Sequence, residues 1–275
     1  MPFYSIITVN YNNKEGLRAT VESVLEQKFK DFEYIIIDGG SQDGSKDIIE
    51  KVKENLSFSC SEPDGGIYSA MNKGIYKAKG KYILFLNSGD TLHDKDVLQV
   101  MHDQMQDNLD IVSGYALLPN GNFLNYHEKN VLMMLMHSTF SHQATFIKRK
   151  LFDKYKYDEK ERIISDWKAW LQWVILEKCS WKYVNTIVCN YDLEGISSSS
   201  NNWDAILKSR RESLESILPP LVVEQLYKDC DYYLKGHMKY IEDFPFLTKC
   251  LIFNMKILAI CGKIYRKLEC SLVHN

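Results

Sequence analysis

The sequence predicts an α/β fold: a mainly parallel sheet with helices on both faces. Three observations lead there. Through the first third of the chain, short apolar runs alternate with segments whose apolar residues recur at helical spacing. The runs lack the in-and-out alternation of a half-exposed sheet, so both faces of their strands are covered. Each run stops at a turn-forming cluster of Asn, Asp, Gly or Ser, and in such sheets ligands bind beyond the carboxyl ends of the strands.

Taken in order, Tyr4 to Val9 is the first β-rich run, ended by Asn10-Tyr11-Asn12-Asn13. Leu17, Val21, Val24, Leu25 and Phe29 then fall at helical spacing, which predicts a helix over Lys14 to Gln27. Glu33 to Ile37 is the second strand, stopped by Asp38-Gly39-Gly40-Ser41. Asp43 to Glu54 reads as a helix that Ser41 or Asp43 can cap. Phe58 to Cys60 is a weak strand, Ile67 to Lys79 a helix, and Tyr82 to Leu86 a fully apolar strand.

Beyond Leu86 the pattern is mixed. Asp94 to Gln106 reads as a helix and Asp110 to Tyr115 as a strand. Pro119-Asn120-Gly121-Asn122 is a hairpin turn. Gln143 to Ile147 is a strand, Arg149 to Lys154 a short helix, Ile164 to Leu176 a helix rich in Trp167, Trp170 and Trp173, and Lys182 to Tyr191 a last strand pair. The tryptophans are read as core. Ser197 to Asn202 is a low-complexity break, after which everything reads as helix. The expected domains are therefore residues 1–200, with halves of about 1–114 and 115–200, and a helical extension over 201–275.

Composition narrows the function classes. At 275 residues, 45% hydrophobic and 25% charged, the chain is an ordinary globular protein, which excludes disordered, collagen-like and coiled-coil readings. A net charge of −2 excludes a nucleic-acid polyanion as partner. That near-neutrality hides an asymmetry. After Phe244, Lys249, Lys256, Lys263, Arg266 and Lys267 stand against Glu269, a surplus of four positive charges on a segment with apolar residues at helical spacing. Residues 244–270 are thus expected to contact an anionic membrane surface, or to pack on protein. The seven cysteines are scattered and never in two-residue spacing, so reduced thiols and a cytoplasmic location are expected, with the basic segment 244–270 as the ground for a peripheral place on the inner membrane face. No basic leader opens the sequence, and Lys256 and Lys263 interrupt the best candidate for a spanning helix.

Four segments carry the chemistry. They are Thr8-Val9-Asn10-Tyr11-Asn12, Asp38 to Ser45, Glu62 to Gly74, and Leu86-Asn87-Ser88-Gly89-Asp90. In this order and at these strand ends they resemble the inverting family 2 glycosyltransferases of bacterial polysaccharide biosynthesis. The resemblance covers about residues 1 to 200 and implies the GT-A (Rossmann-like) fold. It implies transfer of one sugar from a nucleotide-diphosphate donor, a UDP-sugar, to a hydroxyl of a glycan or lipid-linked glycan, as in capsule or O-antigen assembly.

The resemblance also distributes roles. Thr8, Val9 and Tyr11 would form the nucleobase and ribose wall, Asp38 would hydrogen-bond the uracil ring, and Asp64, Gly66 and Asn72 would lie near the nucleotide. Asn87 and Ser88 would line the diphosphate, with Asp90 as the ligand of Mn²⁺ or Mg²⁺. His142 and Gln143 would line the sugar and acceptor side, and Ser197 belongs to a loop, Glu194 to Ser197, that closes over the diphosphate. Asp166, in Ile164-Ser165-Asp166-Trp167, would be the general base, and it also suits the N-cap of its helix. One departure stands out: where many relatives read Asp-Ser-Asp-Asp, this chain reads Asn87-Ser88-Gly89-Asp90, which predicts weak metal binding without donor. Two rival readings are a sugar-nucleotide nucleotidyltransferase and a degenerate, non-catalytic glycan-binding protein. The first would want a Gly-rich phosphate loop after the first strand, and Asn10 to Asn13 is not one.

Overall fold

The computed structural model describes residues 1–105, 109–124, 140–161, 163–193 and 203–228. The first half alternates strand and helix: β1 (Tyr4–Asn10), α1 (Lys14–Leu25), β2 (Phe32–Asp38), α2 (Ser45–Lys51), β3 (Phe58–Ser61), α3 (Ile67–Lys77) and β4 (Tyr82–Phe85). The second half is mixed: β5 (Thr91–Leu92), α4 (Val97–Gln104), β6 (Ile111–Leu117), β7 (Phe123–Leu124), β8 (Thr145–Lys148), α5 (Ser165–Ile175), β9 (Trp181–Asn190) and α6 (Trp203–Ile217). The strands form one sheet in the order β3-β2-β1-β4-β8-β6-β9-β5, with β7 attached to β6. The β3-β2-β1-β4 half is parallel throughout. β8 enters antiparallel between β4 and β6, and β9 returns parallel to β6.

All seven residues of β1 are buried, its polar Ser5, Thr8 and Asn10 included, so both faces of the strand are covered. On one face Tyr4 and Ile6 join Leu17, Val21 and Val24 of α1, Ile48 and Ile49 of α2, and Leu98 and Met101 of α4 in a single core. The Tyr4 hydroxyl reaches the Leu98 carbonyl at 3.2 Å. On the other face α3 lies close enough to β1 that a Cβ on Gly74 would stand 2.5 Å from the Ile7 side chain. Trp167, Trp170 and Trp173 are fully buried in the core of the second half.

Several elements differ from the sequence reading for identifiable reasons. Lys182 to Tyr191 is not a strand pair but the single ten-residue strand β9. No Gly or Pro interrupts it, and a shift of register opposite Ser113 to Ala116 absorbs the irregularity. Gln143 precedes its strand: His142–Ala144 form a tight 3-10 turn, closed by Ala144 N–H and Thr145 Oγ1 donating to Ser141 O. α2 starts at Ser45, because Asp43 accepts hydrogen bonds from the Ser45 N–H and hydroxyl, and it stops at Lys51 before a separate 3-10 turn at Lys53–Asn55. α4 starts at Val97, after a turn in which Asp94 Oδ1 accepts from Asp96 N–H.

The chain divides into two compact units, Met1–Leu218 and Pro219–Asn275. The first therefore includes α6, whose Arg210 guanidinium lies 5.2 Å from the Trp167 ring centroid on α5. In the second, residues 220–228 are helical. The break at 197–202, the loop at Glu194 to Ser197 and the basic segment 244–270 lie outside the described residues. Among the described residues no helix is long and apolar enough to cross a membrane.

Candidate functional site

The parallel half sends four strand ends to one edge of the sheet, and the chemistry-bearing residues gather there. At the end of β2, Asp38 is completely buried. Its Oδ1 accepts from Asn10 Nδ2 at 2.7 Å and Ser41 Oγ at 2.5 Å, and its Oδ2 from Ser41 N–H at 2.9 Å and from the Ser61 hydroxyl. Burial alone would raise its pKa, but these donors together hold it below the usual carboxylate value. Asp38 thus ties β1, β2, β3 and the loop after β2 into one rigid floor.

Above that floor Tyr11, Gly39 and Asp64 meet. A Cβ on Gly39 would stand 3.1 Å from Asp64 Oδ2 and 3.2 Å from the Tyr11 ring, so the glycine lets the two side chains approach closely over it. The Tyr11 ring is 69% exposed, an uncovered aromatic face beside a carboxylate. Asp64 Oδ1 accepts from the N–H of Gly66, the residue that precedes α3. Thr8 and Val9 are buried within the sheet, and the Thr8 hydroxyl shares a 3.0 Å hydrogen bond with the Tyr34 hydroxyl. The Asn72 side chain is held by the backbone of Tyr157, donating to its carbonyl at 2.8 Å and accepting from its N–H at 3.2 Å.

After β4, Asn87 to Asp90 form a tight turn closed by Asp90 N–H on Asn87 O at 3.0 Å. Gly89, third in the turn, has φ +105°, and α1 braces it: the Thr20 hydroxyl accepts from Gly89 N–H and donates to Asp90 O. Asn13, the N-cap of α1, donates to Ser88 O at 3.2 Å. Asp90 is 3% exposed, with Oδ1 accepting from Asp192 N–H at 2.9 Å. Burial pushes its pKa up to about 7, against the lowering effects of the Asp192 N–H, His142 and Gln143. A Cβ on Gly89 would collide with the Asp192 carboxylate, so the chain past β9 delivers a second carboxylate to the turn.

Among the described residues no three His, Cys, Asp or Glu side chains form a metal cluster. The donor set nevertheless suits a hard cation held jointly with phosphate oxygens and water. It has two carboxylates, Asp90 and Asp192, and a buried amide oxygen, Asn87 Oδ1, that has no hydrogen-bond partner among the described residues.

Facing the turn from the second half is Asp166, on the first turn of α5. Its Oδ1 accepts from Trp167 N–H at 2.8 Å and from the Tyr68 hydroxyl at 3.0 Å, while its Oδ2 lies 3.4 Å from His142 Nδ1. The other ring nitrogen, His142 Nε2, lies 3.0 Å from Asn87 Nδ2. The structure thus joins Asn87, His142 and Asp166 in one chain of contacts, with Gln143 beside Asp90. Tyr68 and Asp192 were not singled out from the sequence. Asp192 could have been, since it sits two residues past the end of a strand; Tyr68 carried no signal beyond its place at a helix start.

Comparison with known proteins gives a consistent set of similarities. The family model described as "Glycosyl transferase family 2" matches residues 5–164. A putative teichuronic acid biosynthesis glycosyltransferase, TuaG of Bacillus subtilis (strain 168), is 31% identical over 223 residues, covering 76% of this chain and 86% of that protein. A PGL/p-HBAD biosynthesis glycosyltransferase of Mycobacterium tuberculosis (strain ATCC 25618 / H37Rv) is 29% identical over 205 residues, covering 72% and 80%. Among solved structures, S. aureus TarS 1-349 in complex with UDP-GlcNAc superposes with TM-score 0.67 at 16% identity, covering 84% of this chain and 71% of that one. The mannosyltransferase PcManGT of Pyrobaculum calidifontis, in complex with GDP-Man and Mn²⁺, gives 0.58 at 17% identity, covering 84% and 69%. These two likenesses establish the GT-A type of fold.

Proposed function

The chain belongs to glycosyl transferase family 2, and from that membership we propose that it moves one sugar from a UDP-sugar to a hydroxyl of a glycan or lipid-linked glycan, with inversion, in cell-surface polysaccharide biosynthesis. The observation that carries the proposal is the convergence of Asp166 with the Asn87–Asp90 turn through His142. A buried carboxylate, Asp166, thereby lies within one side chain of an oxygen-rich turn at the carboxyl edge of the sheet, which supports reading it as the base.

In this reading the exposed Tyr11 ring stacks on the nucleobase, and Asp64, within reach across Gly39, accepts from it or from the ribose. Asp90, Asp192 and Asn87 Oδ1 would hold Mn²⁺ or Mg²⁺ beside the diphosphate. When bound, the ion offsets the negative charge that grows on the leaving nucleoside diphosphate. The acceptor oxygen forms its bond to the anomeric carbon as the bond from that carbon to the diphosphate breaks, and the hydroxyl proton passes to Asp166. UDP leaves with the bonding electrons. Asp38 sets the floor beneath the nucleobase wall, and Asn72 holds the segment before α5.

We further propose that residues 244–270 bring the enzyme to an anionic membrane surface on the cytoplasmic side, where a lipid-linked acceptor would lie. A thermal-shift panel of UDP-, GDP- and dTDP-sugars, with and without Mn²⁺, tests the donor assignment, since a ligand of the native state raises Tm. UDP-sugars with Mn²⁺ are expected to give the largest shift. A flat response to all of them would refute the assignment and favour the non-catalytic reading.

A further inference from the structure

We infer that Tyr68 and His142 are positioning residues for Asp166, holding its carboxylate so that Oδ2 is the oxygen that takes the acceptor's proton. The inference rests on reading Asp166 as the base. Its two oxygens differ in their surroundings. Oδ1 already accepts two hydrogen bonds of ordinary length, from Trp167 N–H and the Tyr68 hydroxyl. Oδ2 faces, among the described residues, only His142 Nδ1 at 3.4 Å, too long for a strong bond, so its lone pairs stay open to a reacting group.

The partners of each supporting side chain fix what it can do. An amide nitrogen has only hydrogens to offer, so with Asn87 oriented as it is, Nδ2 at 3.0 Å makes His142 Nε2 the acceptor. In the neutral ring the proton then resides on Nδ1, the atom that faces Asp166. The opposite tautomer would aim the Nδ1 lone pair at the carboxylate. It would also need Asn87 turned over, although the Asn87 oxygen is the atom this arrangement leaves without a partner in the turn.

Tyr68 has one hydroxyl hydrogen and two acceptors, Asp166 Oδ1 at 3.0 Å and Ile163 O at 2.8 Å. An ionised Asp166 draws that hydrogen, and the Ile163 carbonyl can take it once Asp166 is protonated. Burial, with the Asp166 charge beside it, keeps the phenol protonated and therefore able to donate. The Tyr157 ring, 5.4 Å from the Tyr68 ring, fixes its direction. Because His142 spans from Asp166 to the turn that carries Asp90, the base and the diphosphate end of the site share one support.

Two isosteres separate positioning from packing. The Asn side-chain nitrogen takes the place of His Nδ1, and the Gln side-chain nitrogen that of Nε2. We would measure UDP release to water from UDP-glucose, UDP-galactose and UDP-N-acetylglucosamine with Mn²⁺, alongside ¹⁵N-histidine NMR of the intact protein, with the His142 signal assigned by its loss in His142→Asn. Tyr68→Phe and His142→Gln are expected to lower kcat by about 10- to 100-fold with KM within about twofold, and His142→Asn to recover activity to within about threefold of wild type. The His142 spectrum is expected to show the Nδ1–H tautomer.

Equal losses in His142→Asn and His142→Gln, or an Nε2–H tautomer, would overturn the inference. So would Tyr68 and His142 variants that match wild type while Asp166→Asn is inactive; in that case the base assignment survives. An Asp166→Asn variant that releases UDP at the wild-type rate overturns the base itself, and a wild type that releases none overturns the donor reading together with everything resting on it.

Discussion

Gly89 and Asp192 compete for one volume: a side chain on residue 89 would run into the Asp192 carboxylate. Against the Asp-Ser-Asp-Asp pattern of the family resemblance, two carboxylates are absent here, at Asn87 and Gly89. An acidic side chain from beyond β9 occupies the space beside Gly89.

Gly89→Ala should be costly because of the left-handed φ of +105°, and it should push the Asp192 carboxylate aside. A loss of about 1–3 kcal/mol of stability is expected in urea unfolding. A variant as stable as wild type would mean that the turn relaxes without cost.

Asp192→Asn keeps the shape and removes the charge. Titration of Mn²⁺ by electron paramagnetic resonance in the presence of UDP should show affinity lower by about tenfold or more, with metal-free UDP binding little changed. Equal Mn²⁺ affinity would remove Asp192 from the cation site.

Asp90 gives a pH signature. Its folded pKa is raised to about 7, above the ordinary value of 3.8, so between those values the folded state holds a proton that the unfolded state has released. Its contribution favours folding at low pH and is lost as pH rises through 7, worth of the order of 2–4 kcal/mol at most. Comparing the metal-free protein at pH 5 and pH 8, Asp90→Asn should abolish this part of the pH dependence. Because the ligand must be ionised, Mn²⁺ affinity should also fall below pH 7 in the wild type. Parallel stability profiles for wild type and Asp90→Asn would contradict both points.

Asp38→Asn would set an amide against Asn10, Ser41 and Ser61, all of which donate to the carboxylate. A destabilisation of about 2–4 kcal/mol is expected, read as a lowered Tm before any ligand is added. A variant with wild-type Tm and weakened UDP binding would instead assign Asp38 to the nucleobase.

The parallel half was legible because its strands are buried on both faces and read as mainly apolar runs from Tyr4, Glu33 and Tyr82, without in-and-out alternation. The positions of Asp38, Asp64, Asp90 and Asp166 at strand and helix ends were legible for the same reason. Orientation was not. Asp38 sits where the motif puts it, yet Asn10, Ser41 and Ser61 fill both its oxygens, a matter of tertiary contact that no local pattern records. Tyr68 looks like a core aromatic of α3, and its ring is one; only the approach of α5 gives its hydroxyl a second task. Asp192 comes into play because β9 runs on as one strand and delivers it to the turn, whereas reading a strand pair there hid that geometry.

The most direct test of the account is the rate of Mn²⁺-dependent UDP release by Asp166→Asn compared with wild type, using the UDP-sugar that gives the largest thermal shift. The account predicts a fall of about 10²- to 10⁴-fold in kcat with the donor-induced rise in Tm retained. Release at the wild-type rate would contradict it.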